Sequence, residues 1–127
     1  HLGFHSNFVG DTVTPSIQKG DLLIIGSGSG ETASQLVMEE SLAGGAHIGT
    51  LTIFPENTIG SLSDWHIVIP GVTSKLDGEN TEHVQSLQPH GSSFAQLSWL
   101  VYDALAVYLM QETKQGDNEM FARHANL

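Results

Sequence analysis

The residues of this chain that could do chemistry concentrate in one stretch rich in glycine and serine. Ser27, Ser29 and Thr32 carry hydroxyl groups, and the glycines between them let a ligand approach the backbone closely. Hydroxyl and backbone N–H groups can bind a phosphate without a positively charged side chain. The predicted anion-binding residues are Gly26, Ser27, Gly28, Ser29, Gly30, Glu31 and Thr32. We call residues 26–32 the glycine-serine loop.

The segments on either side place this loop between a strand and a helix. Residues 22–25 form a short apolar run typical of a strand buried on both faces, and residues 31–43 have the pattern of a helix. Such a junction directs backbone N–H groups and the positive end of the helix dipole at one point. Glu31, in the first turn, suits capping of that helix, although a carboxylate here could also act as a base.

Two other interpretations of the loop stay open. The first is a flexible surface turn without a ligand. The second is a dinucleotide-binding fragment, because the G-x-G-x-x-G pattern is matched if Ala33 occupies its last position. The loop is not a Walker A loop, since no Gly-Lys-Ser/Thr ending follows it.

The rest of the chain alternates strands and helices. Strands are predicted at residues 6–9, 22–25, 48–53 and 66–69, and helices or helical turns at 31–43, 61–64, 92–111 and 118–123. From residue 22 onward this β-α-β-α-β order implies a parallel sheet with helices on both faces. A polar loop is predicted at residues 72–87. The long helix is apolar nearly all round, so we expect it to form a subunit interface.

Length and composition limit the classes of protein. The 127 residues suffice for a single domain, predicted as 1–127. The net charge of −10, with only four Lys and Arg residues, disfavours nucleic acid and anionic membranes as partners. The absence of cysteine excludes disulfides and thiol catalysis and fits a cytoplasmic location. No apolar run approaches 18 residues, so no membrane span is predicted.

Four groups of residues together carry a resemblance to a known family. They are Ser-Gly-Ser-Gly-Glu-Thr at 27–32; His-Leu-Gly-Phe at 1–4 with Val-Gly-Asp at 9–11 and Thr-Pro at 14–15; Leu-Thr-Ile at 51–53 with Pro-Glu-Asn-Thr-Ile-Gly at 55–60; and Met-Phe-Ala-Arg-His-Ala-Asn-Leu at 120–127. Taken in the order of the chain, they resemble the sugar isomerase (SIS) domain family, in its 6-phospho-3-hexuloisomerase branch. The resemblance extends over essentially the whole chain.

The resemblance implies both a fold and an activity. The fold is a three-layer α/β/α sandwich around a parallel sheet, with the N-terminal part of the family's fold absent from this chain. The activity is the interconversion of 3-hexulose 6-phosphate and fructose 6-phosphate by enediol proton transfer, in the ribulose monophosphate pathway. It implies a sugar phosphate ligand, a cytoplasmic homo-oligomer, expected to be a tetramer, and no cofactor.

The chain departs from the family at the position of the base. Before its long helix the family has Pro-Met-Gly-Ser and then Glu-Gln after a phenylalanine, whereas residues 89–96 here read Pro-His-Gly-Ser-Ser-Phe-Ala-Gln. The proton-accepting glutamate thus falls on Ala95, which cannot accept a proton. Either the chain is an inactive or repurposed phosphosugar-binding relative, or His90 has become the base, or the alanine is an introduced change.

His124 is the remaining catalytic candidate. The resemblance places it at a histidine that enters the active site of a neighbouring subunit, while the alternative is a solvated histidine in a tail. The other histidines lack the spacing of zinc ligands, so no metal site is predicted. Two functions therefore compete, namely a phosphosugar isomerase and a non-catalytic phosphosugar sensor.

Overall fold

The computed structural model describes residues 2–31, 34–71, 87–89 and 91–124. Two compact units are distinguished, and we call Ile17–Trp99 the sheet unit and His1–Ser16 with Leu100–Leu127 the terminal unit. The predicted polar loop at 72–87 lies, except for its last residue, outside the described residues. That residues 1–127 act as one domain stays a prediction.

A parallel three-stranded sheet organises the sheet unit. Its strands are β1 (Leu22–Ser27), β2 (His47–Thr52) and β3 (Trp65–Val68), in the order β1-β2-β3. Helix α1 (Ser34–Gly44) connects β1 to β2, and helix α2 (Thr58–Leu62) connects β2 to β3. The predicted β-α-β-α-β order and the α/β class with flanking helices are thereby confirmed.

The core of the sheet unit lies between the sheet and its two connecting helices. It consists of Leu23, Ile25, Met38, Ile48 and Ile59, with Ile17 packed against it. Met38, Ile48 and Ile59 are completely buried. Burying one such side chain contributes about 1.5–3 kcal/mol, so these few residues hold both helices on the sheet. Met38 faces inward as expected.

The prediction that residues 22–25 are buried on both faces is wrong. Burial alternates along β1, with Leu23 and Ile25 buried but Leu22 53% and Ile24 38% exposed. Successive side chains of a strand point to opposite faces, and only one face of this edge strand is covered by described residues. The apolar run therefore marks the strand correctly but does not show that both of its faces are covered.

The two C-terminal helices lie close to their predicted positions. Helix α3 spans Ser92–Glu112, and helix α4 spans Asp117–Ala122. The Glu119 carboxylate accepts the Gly116 N–H at 2.9 Å and so satisfies a backbone donor where α4 begins.

Helix α3 exposes an unusual amount of apolar surface. Trp99, Leu100, Val107 and Tyr108 are each more than half exposed, and Ser98 is its one buried residue. By length and composition alone, α3 could cross a membrane. The expectation that no apolar segment is long enough to do so is therefore corrected. Such length and composition are weak evidence for a membrane span, because a helix that packs against other protein also passes such a test.

The start of the terminal unit contains turns where a strand was predicted. Residues 6–9 form no strand, and Phe8 is 77% exposed. The Thr14 hydroxyl donates to the Phe8 and Asp11 carbonyls, at 2.7 and 3.0 Å. A strand needs a neighbouring edge to pair with, and here the backbone is satisfied by local turns instead.

Candidate functional site

The glycine-serine loop lies at the carboxyl end of β1, where ligands bind in open parallel sheets. The strand is two residues longer than predicted, so Gly26 and Ser27 of the loop are its last two residues. The segment after β2 and the first turn of α3 meet the loop there. A methyl group placed on Gly28 would lie 3.5 Å from the Phe94 ring and 3.6 Å from Ile53. One placed on Gly71, after β3, would lie 3.2 Å from Ile53 and 3.4 Å from the Ser93 hydroxyl. The ends of all three strands and the start of α3 thus converge on one place.

The two serines of the loop brace its backbone. The Ser27 hydroxyl accepts the Gly30 N–H at 3.2 Å, and the Ser29 hydroxyl accepts the Glu31 N–H at 3.3 Å. Both serines are almost completely buried. A hydroxyl that accepts a hydrogen bond still has its own proton to donate. Both serines therefore shape the loop, and the Ser29 hydroxyl can in addition donate to an anion, whereas the amides of residues 30 and 31 are already engaged.

Gly30 has a conformation and surroundings that exclude a side chain. Its φ of +69° lies in the left-handed region, which L-residues other than glycine avoid. A Cβ atom there would lie 2.9 Å from the Cβ of Asn57 and 3.2 Å from the Phe54 carbonyl oxygen. The segment after β2 therefore packs tightly against the loop.

Four hydrogen bonds fasten the loop to the beginning of α2. The Asn57 amide group donates to the Ser29 carbonyl at 2.8 Å, and the Ile59 N–H donates to the Gly30 carbonyl at 3.0 Å. The backbone N–H and the hydroxyl of Thr58 both donate to one carboxylate oxygen of Glu31, each at 2.8 Å.

Helix α2 begins at Thr58, three residues before the start at residue 61 that the sequence predicted. The first N–H groups of a helix need acceptors from elsewhere, and here Glu31 and Gly30 supply them. Such acceptors come from a segment almost 30 residues away, so the local sequence does not show them.

Glu31 caps helix α2. Its carboxylate accepts from the backbone N–H and the hydroxyl of Thr58. Whether it also caps the helix that follows it in the chain stays a prediction, because residues 32 and 33 lie outside the described residues. The backbone and side-chain hydrogen bonds from Thr58 lower the pKa of Glu31 below its usual value. A carboxylate stabilised in its charged form is a weaker base, so this arrangement favours a structural role for Glu31.

The described residues of the sheet unit contain one lysine or arginine, Lys19. The Lys19 side chain packs near Gly45, just before β2 begins. Lys19 therefore lies at the amino-terminal end of the strands, opposite the end that carries the loop. Within the described part of the chain, no three His, Asp or Glu side chains form a group that could hold a metal ion.

The described structure brings together only part of the predicted site. Gly26 to Glu31 form the loop, while Thr32 and His90 lie outside the described residues. Ala95 is exposed in the first turn of α3, immediately after Phe94, whose ring lies against Gly28. The predicted base position is therefore close in the chain to a residue that contacts the loop.

His124 belongs to the terminal unit. It is exposed, and its ring stacks on Phe121 with the centroids 6.4 Å apart. The neighbouring Arg123 donates a hydrogen bond to the Gln115 side chain, whose amide group in turn donates to the Leu2 carbonyl at 2.9 Å. Gln115 thus links Arg123 to the start of the chain within the terminal unit, and the catalytic role of His124 stays a prediction.

Comparison with known proteins identifies the family. No family model matches the chain. It is 43% identical over 129 residues to 3-hexulose-6-phosphate isomerase of Bacillus subtilis (strain 168), covering all of this chain and 68% of that protein. It is 35% identical over 128 residues to 3-hexulose-6-phosphate isomerase of Mycobacterium gastri, covering all of this chain and 62% of that protein.

A solved structure supports the same assignment. A crystal structure described as that of a hypothetical protein matches with a TM-score of 0.83 at 31% identity, covering 99% of this chain and 66% of the other. The fold therefore defines an α/β protein of the sugar isomerase type. The chain belongs to the 3-hexulose-6-phosphate isomerase family, and it spans about two thirds of the length of these relatives.

Proposed function

We propose that this protein is a phosphosugar isomerase that interconverts 3-hexulose 6-phosphate and fructose 6-phosphate. The observation that carries the proposal is the 43% identity, over the whole chain, to a protein named 3-hexulose-6-phosphate isomerase. In this reaction a proton moves between C2 and C3 through an enediol, while the phosphate is held away from the reacting carbons. The expected metabolic context is the ribulose monophosphate pathway.

The glycine-serine loop is the phosphate-binding element in this proposal. Its position at the carboxyl end of β1, its buried serines and its attachment to α2 provide a rigid set of neutral donors. A rigid phosphate site lets binding energy position the rest of the substrate. Glu31, occupied by Thr58, is assigned to the structure of the loop rather than to proton transfer.

A second candidate function is phosphosugar binding without catalysis. Ala95 favours it, because a methyl group cannot accept a proton where the family resemblance expects a glutamate. Under this alternative the loop still binds a sugar phosphate and the protein acts as a sensor or regulator.

One assay on three proteins separates the two functions. Formation of fructose 6-phosphate from 3-hexulose 6-phosphate is followed with the unmodified protein, Ala95→Glu and Ala95→Gln. Turnover by the unmodified protein supports the isomerase and removes the sensor. Turnover by the glutamate variant alone, with the glutamine variant as the uncharged control, supports the sensor. Absence of both turnover and fructose 6-phosphate binding in all three proteins contradicts both functions.

The proposal includes a cytoplasmic homo-oligomer, expected to be a tetramer, made of single phosphosugar-binding domains. The exposed apolar side chains of α3 support self-association, because contiguous apolar surface is usually covered by protein. In such an oligomer His124 of one copy would serve the site of another. Light scattering at micromolar concentration tests this, and a monomer there contradicts it.

A further inference from the structure

We propose that Glu31 and Asn57 are positioning residues that hold the glycine-serine loop in its binding conformation by fastening it to the start of α2. This inference deepens the proposed function and rests on it. It gives a role to the Pro-Glu-Asn-Thr motif at 55–58, which ends at the first residue of α2 and which the phosphate-binding assignment leaves unexplained.

The side chain of Asn57 links the start of α2 to the glycine-serine loop. Asn57 is the N-cap residue of α2, a position where asparagine commonly bonds to its own helix. Here it makes no such bond and donates instead to the Ser29 carbonyl. The Glu31 carboxylate takes over the cap by accepting from Thr58. The start of α2 thus donates to a carbonyl of the loop, and the loop accepts from the first N–H of α2, so the two segments hold each other in place.

The affinity for a ligand depends on the fraction of molecules whose loop is in its binding conformation. The measured dissociation constant equals the intrinsic constant divided by the fraction of molecules whose loop is competent. If loss of the fastening reduces that fraction from near one to about one tenth, the affinity for a sugar phosphate falls about tenfold. A purely electrostatic role predicts the opposite sign, because removing a carboxylate near a phosphate strengthens binding.

The test measures binding of fructose 6-phosphate by calorimetry to the full chain and four variants. Glu31→Ala and Asn57→Ala each remove a fastening side chain. Glu31→Gln removes the charge but keeps an oxygen that can accept from Thr58. Glu56→Ala is the matched control, since it deletes a neighbouring exposed carboxylate that makes no hydrogen bond to the described residues.

The inference expects about tenfold weaker binding by Glu31→Ala and Asn57→Ala. Glu56→Ala should bind as tightly as the unmodified protein, and Glu31→Gln should weaken binding less than Glu31→Ala does, because its amide oxygen can still accept from Thr58. Equal or tighter binding by Glu31→Ala overturns the positioning role. Equal weakening by Glu56→Ala overturns it as well, because that would be a general effect of the lost charge.

Amide hydrogen exchange tests the same inference without a ligand. The Gly30 amide should exchange faster in Glu31→Ala than in Glu56→Ala, while amides in the middle of β2 stay unchanged. Unchanged exchange at the loop overturns the inference even if binding cannot be measured. Failure of the unmodified protein to bind fructose 6-phosphate, with faster loop exchange in Glu31→Ala, contradicts the proposed function alone.

Discussion

Replacement of Gly30 by alanine gives a direct test of how tightly the glycine-serine loop packs against the segment after β2. Two costs add at this position. An L-residue in the left-handed region costs about 1–2 kcal/mol, of which about 0.4–1 kcal/mol is returned because alanine restricts the unfolded chain. The new Cβ atom would also lie 2.9 Å from the Cβ of Asn57, a distance that requires a shift of the backbone.

Gly20→Ala is the matched control, because it isolates the conformational cost. Gly20 has a φ of +88°, and a Cβ atom there would meet nothing within 4 Å. We therefore expect Gly20→Ala to cost about 1 kcal/mol. Overpacking typically adds about 1–3 kcal/mol, so Gly30→Ala should cost about 2–4 kcal/mol.

Thermal unfolding followed by circular dichroism measures the difference between the two variants. For a chain of this length one kcal/mol corresponds to about 4 °C in Tm, so Gly30→Ala should melt roughly 4–12 °C below Gly20→Ala. Urea unfolding provides a second measure of the same free energy. Equal loss of stability in the two variants would refute the close packing of the loop against Asn57.

Three further measurements test individual contacts. Ser98→Ala should stabilise the protein by about 1 kcal/mol in urea unfolding, because the Ser98 hydroxyl is buried without a partner among the described residues. Asp64→Ala should cost about 1–2 kcal/mol, since a carboxylate oxygen of Asp64 accepts the Ile48 N–H at 2.7 Å, and Asp64→Asn should retain most of it. The pKa of Glu31 is lowered in the folded state, so its contribution to stability is present above its usual value of 4.5 and is lost as the pH falls through the folded pKa. The stability difference between the unmodified protein and Glu31→Ala should therefore shrink below about pH 4.5 and be constant above it.

Much of the fold could be predicted because its strands are short, apolar and separated by helical segments. The alternation from residue 22 to 69 leaves few topologies other than a parallel sheet. Two features could not be derived in this way. The exposure of Leu22 and Ile24 depends on what covers the second face of β1. Residues 6–9 have the composition of a strand, but local hydrogen bonds from Thr14 hold this segment in turns.

The position of the glycine-serine loop at the end of a strand could be predicted, but its hydrogen bonds could not, and its role as a binding site stays a prediction. Glycine and serine spacing located the loop, because few other uses explain so many glycines after an apolar strand. Which groups the serines and Glu31 bond to is decided by tertiary contacts. Glu31 and Thr58 lie 27 residues apart, and nothing in the local sequence pairs them.

Salt dependence of phosphate binding tests the central electrostatic expectation for this site. If neutral hydroxyl and amide donors hold the phosphate, no strong attraction is available for salt to screen. The net charge of −10 instead repels a phosphate, and salt screens that repulsion. We therefore expect the affinity for fructose 6-phosphate to stay constant or to increase between 50 and 300 mM salt, roughly the range over which the Debye length falls from about 14 to 6 Å.

A site built on lysine or arginine would show the opposite trend, with affinity falling as salt rises. Lys19→Ala is the control, because Lys19 lies at the end of the sheet opposite the loop. Its removal should leave both the affinity for fructose 6-phosphate and the salt dependence of that affinity unchanged. A steep loss of affinity with salt would show that a cation contacts the phosphate. The serines and backbone of residues 26–31 would then be insufficient to explain binding, however well they are fastened to α2.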